Sequence, residues 1–151
     1  MFDPSQFLDM TIEGDNSTVA IPVPAGEFAA IIDKVDVRQW TKRDDPTVSG
    51  LTLEVFWAIE DDGVKEMLGR DKVLAKQGIM LDITEAGGLD MGKGKNVGLG
   101  RLRAACNLNN PGQAFSFQQL PGQFAKVTVT HRTDKDDPEK IYAEVKTVVR
   151  A

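Results

Sequence analysis

"LDITEAGGLDMGKGKNVGLGRLRAACNL", residues 81–108, is the stretch on which the fold turns. An apolar run leads into six glycines and two lysines, then into a segment with helical spacing. That is the outline of a phosphate-binding loop, which would make the chain an α/β protein with a parallel sheet. A Walker A loop reads G-x-x-x-x-G-K-[ST], and its hydroxyl holds Mg²⁺. Gly87, Gly92 and Lys93 match, but Gly94 stands where the hydroxyl is needed. The dinucleotide fingerprint fails as well. Gly92, Gly94 and Gly98 are spaced G-x-G-x-x-x-G, and no acid follows at the required distance of ~20 residues. Two readings remain. In one, the glycines make a plain, flexible strand-to-helix connection. In the other, backbone N–H groups join Lys93, Lys95, Arg101 and Arg103 as a clamp on the phosphates of a polymer. No acid interrupts that cluster after Asp90.

Outward from this segment the pattern is that of strands. "EFAAIIDKVDVRQW" (27–40) is apolar and rich in β-branched residues. "LTLEVFWAIE" (51–60) alternates, with Leu51, Leu53, Val55, Trp57 and Ile59 on one side. "KVLAKQGIMLDIT" (72–84) places Val73, Ala75, Ile79, Leu81 and Ile83 on one face. The helix of residues 97–108 presents Val97, Leu99, Leu102, Ala105 and Cys106 or Leu108, and "NNPGQ" ends it. "FSFQQL" (115–120) suits one further helical turn. "QFAKVTVTHR" (123–132) and "KIYAEVKTVV" (140–149) flank the turn-rich "TDKDDPE", with Val127, Val129, Ile141, Ala143, Val145 and Val149 as core positions. The links "TKRDDPTVSG" and "DDGVKEMLGRD" read as loops or short turns. Three strands, one helix and two strands predict a mainly β protein, a five-stranded OB-fold-like Greek-key barrel with its helix between strands 3 and 4. Residues 26–151 form this domain. Residues 1–25 form an extended N-terminal arm, since "GDNSTVAIPVPAG" mixes turn formers with Pro22 and Pro24.

A chain of 151 residues suits one domain with a real core. The net charge of −5 is unevenly placed, because Asp3, Asp9, Glu13, Asp15, Glu27 and Asp33 precede every lysine and arginine. The rest is close to neutral and can carry a basic face. A single cysteine, Cys106, forms no internal disulfide, and no Cys/His cluster has metal-ligand spacing. The N-terminus lacks signal-peptide features and no apolar run approaches the ~18 residues of a membrane span. A cytoplasmic protein without a membrane partner or a cofactor is expected.

Strand phase suggests where chemistry could sit. Phe56 lies opposite the Leu53/Val55/Trp57 side, where an aromatic could stack on a base or pack at a subunit contact. In the first strand Lys34, Arg38 and Trp40 share a phase, and Lys76 and Met80 on the third extend the same surface. Cations interleaved with aromatics are what sequence-tolerant single-strand binders use. Catalysis finds little support. His131 is the only histidine and has no nucleophile at a telling spacing. "DKDDPE" lacks the fixed glycine and glutamate of a calcium loop. Glu144-Val145-Lys146 resembles part of a metal-dependent nuclease site but would need the distant Asp82.

Several segments together, "PVPAGEF", "GLDMGKGKNVGLGRLR" and "LPGQFAKVTVTHR … IYAEVK", resemble a group of small proteins encoded by tailed bacteriophages. The resemblance covers most of residues 20–149. It implies a non-enzymatic OB-fold protein that binds single-stranded DNA in phage replication or recombination, with replication or recombination proteins as partners. Its location would then be the host cytoplasm. Many single-strand-binding proteins end in an acidic tail, whereas this chain ends "EVKTVVRA" and is acidic at its N-terminus. The expected nucleic-acid-binding residues, from phase and charge, are Lys34, Arg38, Trp40, Phe56 and Lys76, flanked by Lys93, Lys95, Arg101 and Arg103. A structural or assembly β-barrel acting through protein contacts is the alternative, and self-association is open under both.

Overall fold

A computed structural model describes residues 3–151. Its elements are β1 (Gly26–Thr41), β2 (Ser49–Ile59), α1 (Asp62–Leu68), β3 (Leu74–Leu81), α2 (Val97–Ala105), β4 (Phe124–Thr133) and β5 (Ile141–Val149). The strands close a barrel in the order β1-β2-β3-β5-β4. Every junction is antiparallel except β3–β5, a parallel contact at Lys76 and Glu144. This is the five-stranded OB-fold-like barrel expected from the sequence, with α2 between the third and fourth strands.

β2 is the core's spine. Its inward residues Leu53, Val55, Trp57 and Ile59 are fully buried, as the alternation predicts. The buried Trp57 indole donates from Nε1 to Gln77 Oε1 at 2.9 Å. Gln77 points inward from β3, a position the apolar pattern left out. Leaving that indole N–H unpaired would cost about 1–3 kcal/mol, so one polar side chain belongs in this core.

β1 pairs with β4 through residues 26–31 and with β2 through residues 30–41. A bulge makes the double duty possible. Ile32 faces Trp57 and Lys34 faces Phe56, so Asp33 is an extra residue. Ala30 and Ile32 point inward before it, and Val35 packs on the core after it. β5 has a similar irregularity: Thr128 faces Thr147 but Val129 faces Val145. Lys146 is the extra residue there, and Val148 rather than Val149 packs against the core. The expected core position Val149 is therefore 54% exposed. Ile141, at the turn end of the β4–β5 hairpin, and Val97, in the first turn of α2, are also exposed. Ile83 lies outside β3, in a bridge to Leu89, and is exposed too.

The "DDGVKEMLGRD" link contains a helix rather than a plain turn. Asp61 caps α1 by accepting from Val64 N–H, Gly69 ends it in a left-handed conformation, and Val64 is its one buried residue. Such a short helix leaves no periodicity to read. The one further helical turn expected in residues 115–120 is present as a 3₁₀ turn, Phe117–Gln119, with a Ser116/Gln119 capping box.

The glycine-rich connection is hydrogen-bonded rather than loose. Asn96 is its buried lock: its Oδ1 accepts from Asp82 N–H, and its Nδ2 donates to the carbonyls of Asp82 and Asp90. The Asn96 N–H donates to Asp82 Oδ2. Residues 3–21 of the arm are exposed throughout. Pro4–Asp9 form a 3₁₀ turn, and the other described residues of the arm have no regular structure. Val23 is buried, and its carbonyl lies 2.7 Å from His131 Nε2, which pins the arm to β4.

Asn96 has a left-handed φ of 52°, which asparagine and glycine accept best. Asn96→Ala loses the three side-chain bonds and adds strain, so a loss of about 2–4 kcal/mol is expected in denaturant unfolding. Asn96→Gly loses the same bonds without the strain and should be the milder of the two.

Candidate nucleic-acid interface

The bulge at Asp33 decides which way β1 presents its cations. Simple alternation from Ile32 would send Lys34 into the core. With one residue inserted, Lys34 lies beside Phe56, and Phe56 beside Lys76, in a row across three strands. The next rows are Asp36, Glu54 and Gly78, then Arg38, Thr52 and Met80, and finally Trp40 beside Gly50. Lys34, Arg38, Trp40, Phe56 and Lys76 thus share the outer face of the barrel. The surface continues onto β5 at Glu144, next to Lys76, and onto β4 at Arg132.

Two features of this face were not anticipated. The first is Glu54, whose side chain is only 13% exposed at the centre of the cations. It pairs with Lys76 at 3.0 Å and with Arg38 at 3.8 Å. Arg132 is likewise paired with Glu144 at 2.9 Å. The Arg132–Glu144 pair is exposed at both ends and contributes about 0–1 kcal/mol, whereas the Glu54 pairs are exposed on the cation side only, so Lys76 and Arg38 keep their access to solvent. The second is that the aromatic rings are already in contact. Lys34 Nζ sits 4.8 Å from the Phe56 ring centroid. The Trp40 indole lies so close to Gly50 that a Cβ there would come within 2.6 Å of the ring. Its Nε1–H is buried and finds no acceptor among the described residues.

The β4–β5 hairpin adds Tyr142, which sequence phase could have identified from the alternation of "KVTVTHR" and "IYAEV". The Arg132 guanidinium lies 4.8 Å from its ring centroid and Lys140 Nζ 5.3 Å. Tyr142 Oη donates to Asp134 at 2.9 Å. The Asp134 carboxyl lies below its ordinary range, chiefly through the Asp136 backbone N–H and then the Tyr142 hydroxyl. Its folded value being depressed, its contribution to hairpin order is present at neutral pH and lost as pH falls through that lowered value.

The second group of cations divides. Lys93, Lys95 and Arg101 are exposed and have no ion-pair partner among the described residues. Arg103 is engaged: its Nε donates to Leu108 O at 3.0 Å, and its guanidinium covers the Phe115 ring at 4.3 Å. It ties the end of α2 to the following loop. The loop's amides are also largely committed. Those of Thr84, Gly87, Gly88, Asp90, Gly92, Lys95 and Asn96 all donate to acceptors within the loop. Any phosphate contact here falls mainly to side chains.

The outer face and this cluster are joined by a trough. A recess of ≈ 300 Å³ includes Arg38, Lys76, Gly78 and Arg132, and an adjoining one of ≈ 340 Å³ includes Gly78, Met80, Arg101 and Lys146. Gly78 is common to both and leaves the path open for want of a side chain. Lys146, the extra residue of the β5 bulge, is another contributor that alternation alone did not single out.

The residues considered for catalysis are occupied structurally. His131 holds Val23, Asp82 holds Asn96, and Glu144 pairs with Arg132. Burial pushes the Cys106 thiol up, so it stays protonated at neutral pH and packs as a small apolar group. Among the described residues no three His, Cys, Asp or Glu side chains are grouped to hold a metal. No helix among the described residues is long and apolar enough to cross a membrane.

Gly50→Ala should displace the Trp40 indole while leaving the fully buried Trp57 in place. Acrylamide quenching of tryptophan emission is expected to rise for the variant, with little change in far-UV circular dichroism; unchanged quenching would mean that the ring does not rest on Gly50.

Compared with models of known protein families and with curated protein sequences, the chain matches none.

Proposed function

We propose that this protein binds single-stranded DNA without catalysis, in phage DNA replication or recombination, on the outer face of β1–β3 and along the trough to α2. The observation that carries the reading is the cross-strand row Lys34–Phe56–Lys76 on the outer side of an OB-type barrel. Barrels of this type bind oligonucleotides on the face of strands 2 and 3 between two flanking loops. That support is an analogy of fold; the chemistry comes from the residues. Phosphates displace Glu54 from Lys76 and Arg38, and Lys34 can swing off Phe56 to leave its ring to a base. Stacking contributes about 1–3 kcal/mol per base, and the phosphate contacts make affinity fall with salt. Lys93, Lys95, Arg101 and Lys146 extend the track beyond the face. The fit is to a single strand, because a flexible backbone can follow two adjoining recesses that share Gly78.

The alternative, a structural or assembly protein, is favoured by the same ring contacts. Phe56 already lies under Lys34, and Trp40 against Gly50. DNA affinity separates the readings.

Anisotropy of a labelled oligonucleotide of ~30 bases, titrated at several salt concentrations beside its duplex, should give single-strand-selective, salt-sensitive binding. Phe56→Ala should weaken it by roughly 1–3 kcal/mol. Glu54→Gln should tighten it, since the carboxylate no longer competes for Lys76 and Arg38. Gly78→Val, whose Cβ would meet Thr52 only at an ordinary 3.7 Å, should fold normally and bind less well. An absence of binding even at low salt would leave the assembly reading.

A further inference from the structure

The arm is acidic and apolar at once. Residues 3–21 carry Asp3, Asp9, Glu13 and Asp15 and no lysine or arginine. Between these acids Leu8 is 94% exposed, Met10 56% and Ile12 67%. A solvated tail gains nothing from apolar side chains at every second position. A segment that docks does.

The complementary surface lies beside α2. A groove of ≈ 450 Å³ runs between the loop before the helix and the helix itself. Its apolar part includes Met91 and Val97, 76% and 47% exposed, and Ala104. Its cations are Lys95, Arg101 and Arg103, and its one acid, Asp90, is occupied by the Gly92 N–H at 2.9 Å. Val97 is at a core phase by sequence yet faces water. The unpaired Lys95 and Arg101 are opposite in sign to Asp9 and Glu13 and equal to them in number.

The arm's point of departure and its exposure bear on whose groove it fills. It is pinned at Val23 to His131 and enters β1 at Gly26, opposite Val129. α2 ends at the other end of β4, where Cys106, Phe124 and Arg150 line one recess. His131 and Phe124 are seven residues apart along β4, roughly 20 Å. The arm thus leaves the barrel at the end of β4 remote from the end of α2, and residues 3–21 are exposed throughout rather than packed on their own barrel.

We propose that the N-terminal arm docks in the α2 groove of a second copy of this chain, with Leu8, Met10 and Ile12 on Met91 and Val97, and Asp9 and Glu13 on Lys95 and Arg101. Reciprocal exchange closes a dimer; one-way exchange builds a chain of subunits. The arm takes Lys95 and Arg101, which the proposed nucleic-acid track also uses, so a bound strand would compete with it there; association measured without DNA tests the arm alone.

Sedimentation velocity of the full chain over a range of concentrations tests it. The wild type should sediment as a multiple of the monomer mass and dissociate on dilution. Leu8→Ser/Met10→Ser/Ile12→Ser and, separately, Lys95→Glu/Arg101→Glu should each weaken association at least roughly tenfold. All the altered positions are exposed, and Trp57 emission checks that each variant is folded. Adding Asp9→Lys/Glu13→Lys to the Lys95→Glu/Arg101→Glu chain should restore association, which a merely structural effect would not do. A wild type monomeric at every concentration overturns the proposal, including the case of an arm folded back on its own barrel. Association that survives both sets of substitutions, or is not restored by the charge exchange, overturns it as well.

Discussion

β1 must hydrogen-bond to β4 over its first third and to β2 over the remainder, and the extra residue Asp33 sits just past that handover. A strand shared by both sides of a small barrel has to bend sharply, and a bulge supplies bend and twist together. It also inverts the strand's phase. Ile32 packs inside next to Trp57, while Lys34 emerges outside next to Phe56. Asp33 is itself tied to Lys72 Nζ at 2.6 Å, so the irregular residue is anchored to the segment leading into β3. Closure of the barrel and the composition of its outer face thus follow from one inserted residue.

That outer face is arranged around a conflict of charge. Glu54 lies among Lys76 and Arg38, and Glu144 beside Lys76 and Arg132. In the free protein the carboxylates keep neighbouring cations from repelling one another and fix their positions. A face of unpaired cations would bind a polyanion more tightly but would hold itself together less well. Pairs whose cations stay about half-exposed are a middle course, sufficient to order long side chains beforehand while leaving them accessible.

The barrel was legible because β2 and β4 alternate strictly and because the glycine-rich segment fails each nucleotide motif at a definable residue. The face was legible for a narrower reason. Counting back from Arg38 and Trp40 gave the correct phase at Lys34, and the bulge falls before Lys34 rather than after it. In β5 the extra residue is Lys146, so the same counting carried Val149 wrongly into the core. Alternation has no means of registering an inserted residue, because a bulge changes pairing and not composition. Gln77 escaped notice for a different reason. Its inward position depends on a partner, the Trp57 indole, twenty residues away and on another strand. Glu54 was visible as an outward residue, but its grip on Lys76 and Arg38 needed the lateral register of three strands.

The glycines of the 81–108 segment find their explanation in packing. Gly94 takes a left-handed φ of 78°, which leads into the left-handed Asn96. A Cβ on Gly98 would approach the Ile79 side chain to 3.2 Å, so glycine there lets α2 settle onto β3. Gly92 faces the Asp90 carboxylate that accepts its N–H. With the amides donating inward, the loop resembles a phosphate cradle in composition and differs from one in the direction of its hydrogen bonds. What it presents outward is Lys93 and Lys95 on a backbone locked by Asn96. A locked backbone lowers the ordering cost of any anionic partner. The Asn96 hydrogen bonds thus make the loop a fixed surface and not a loose connection between β3 and α2.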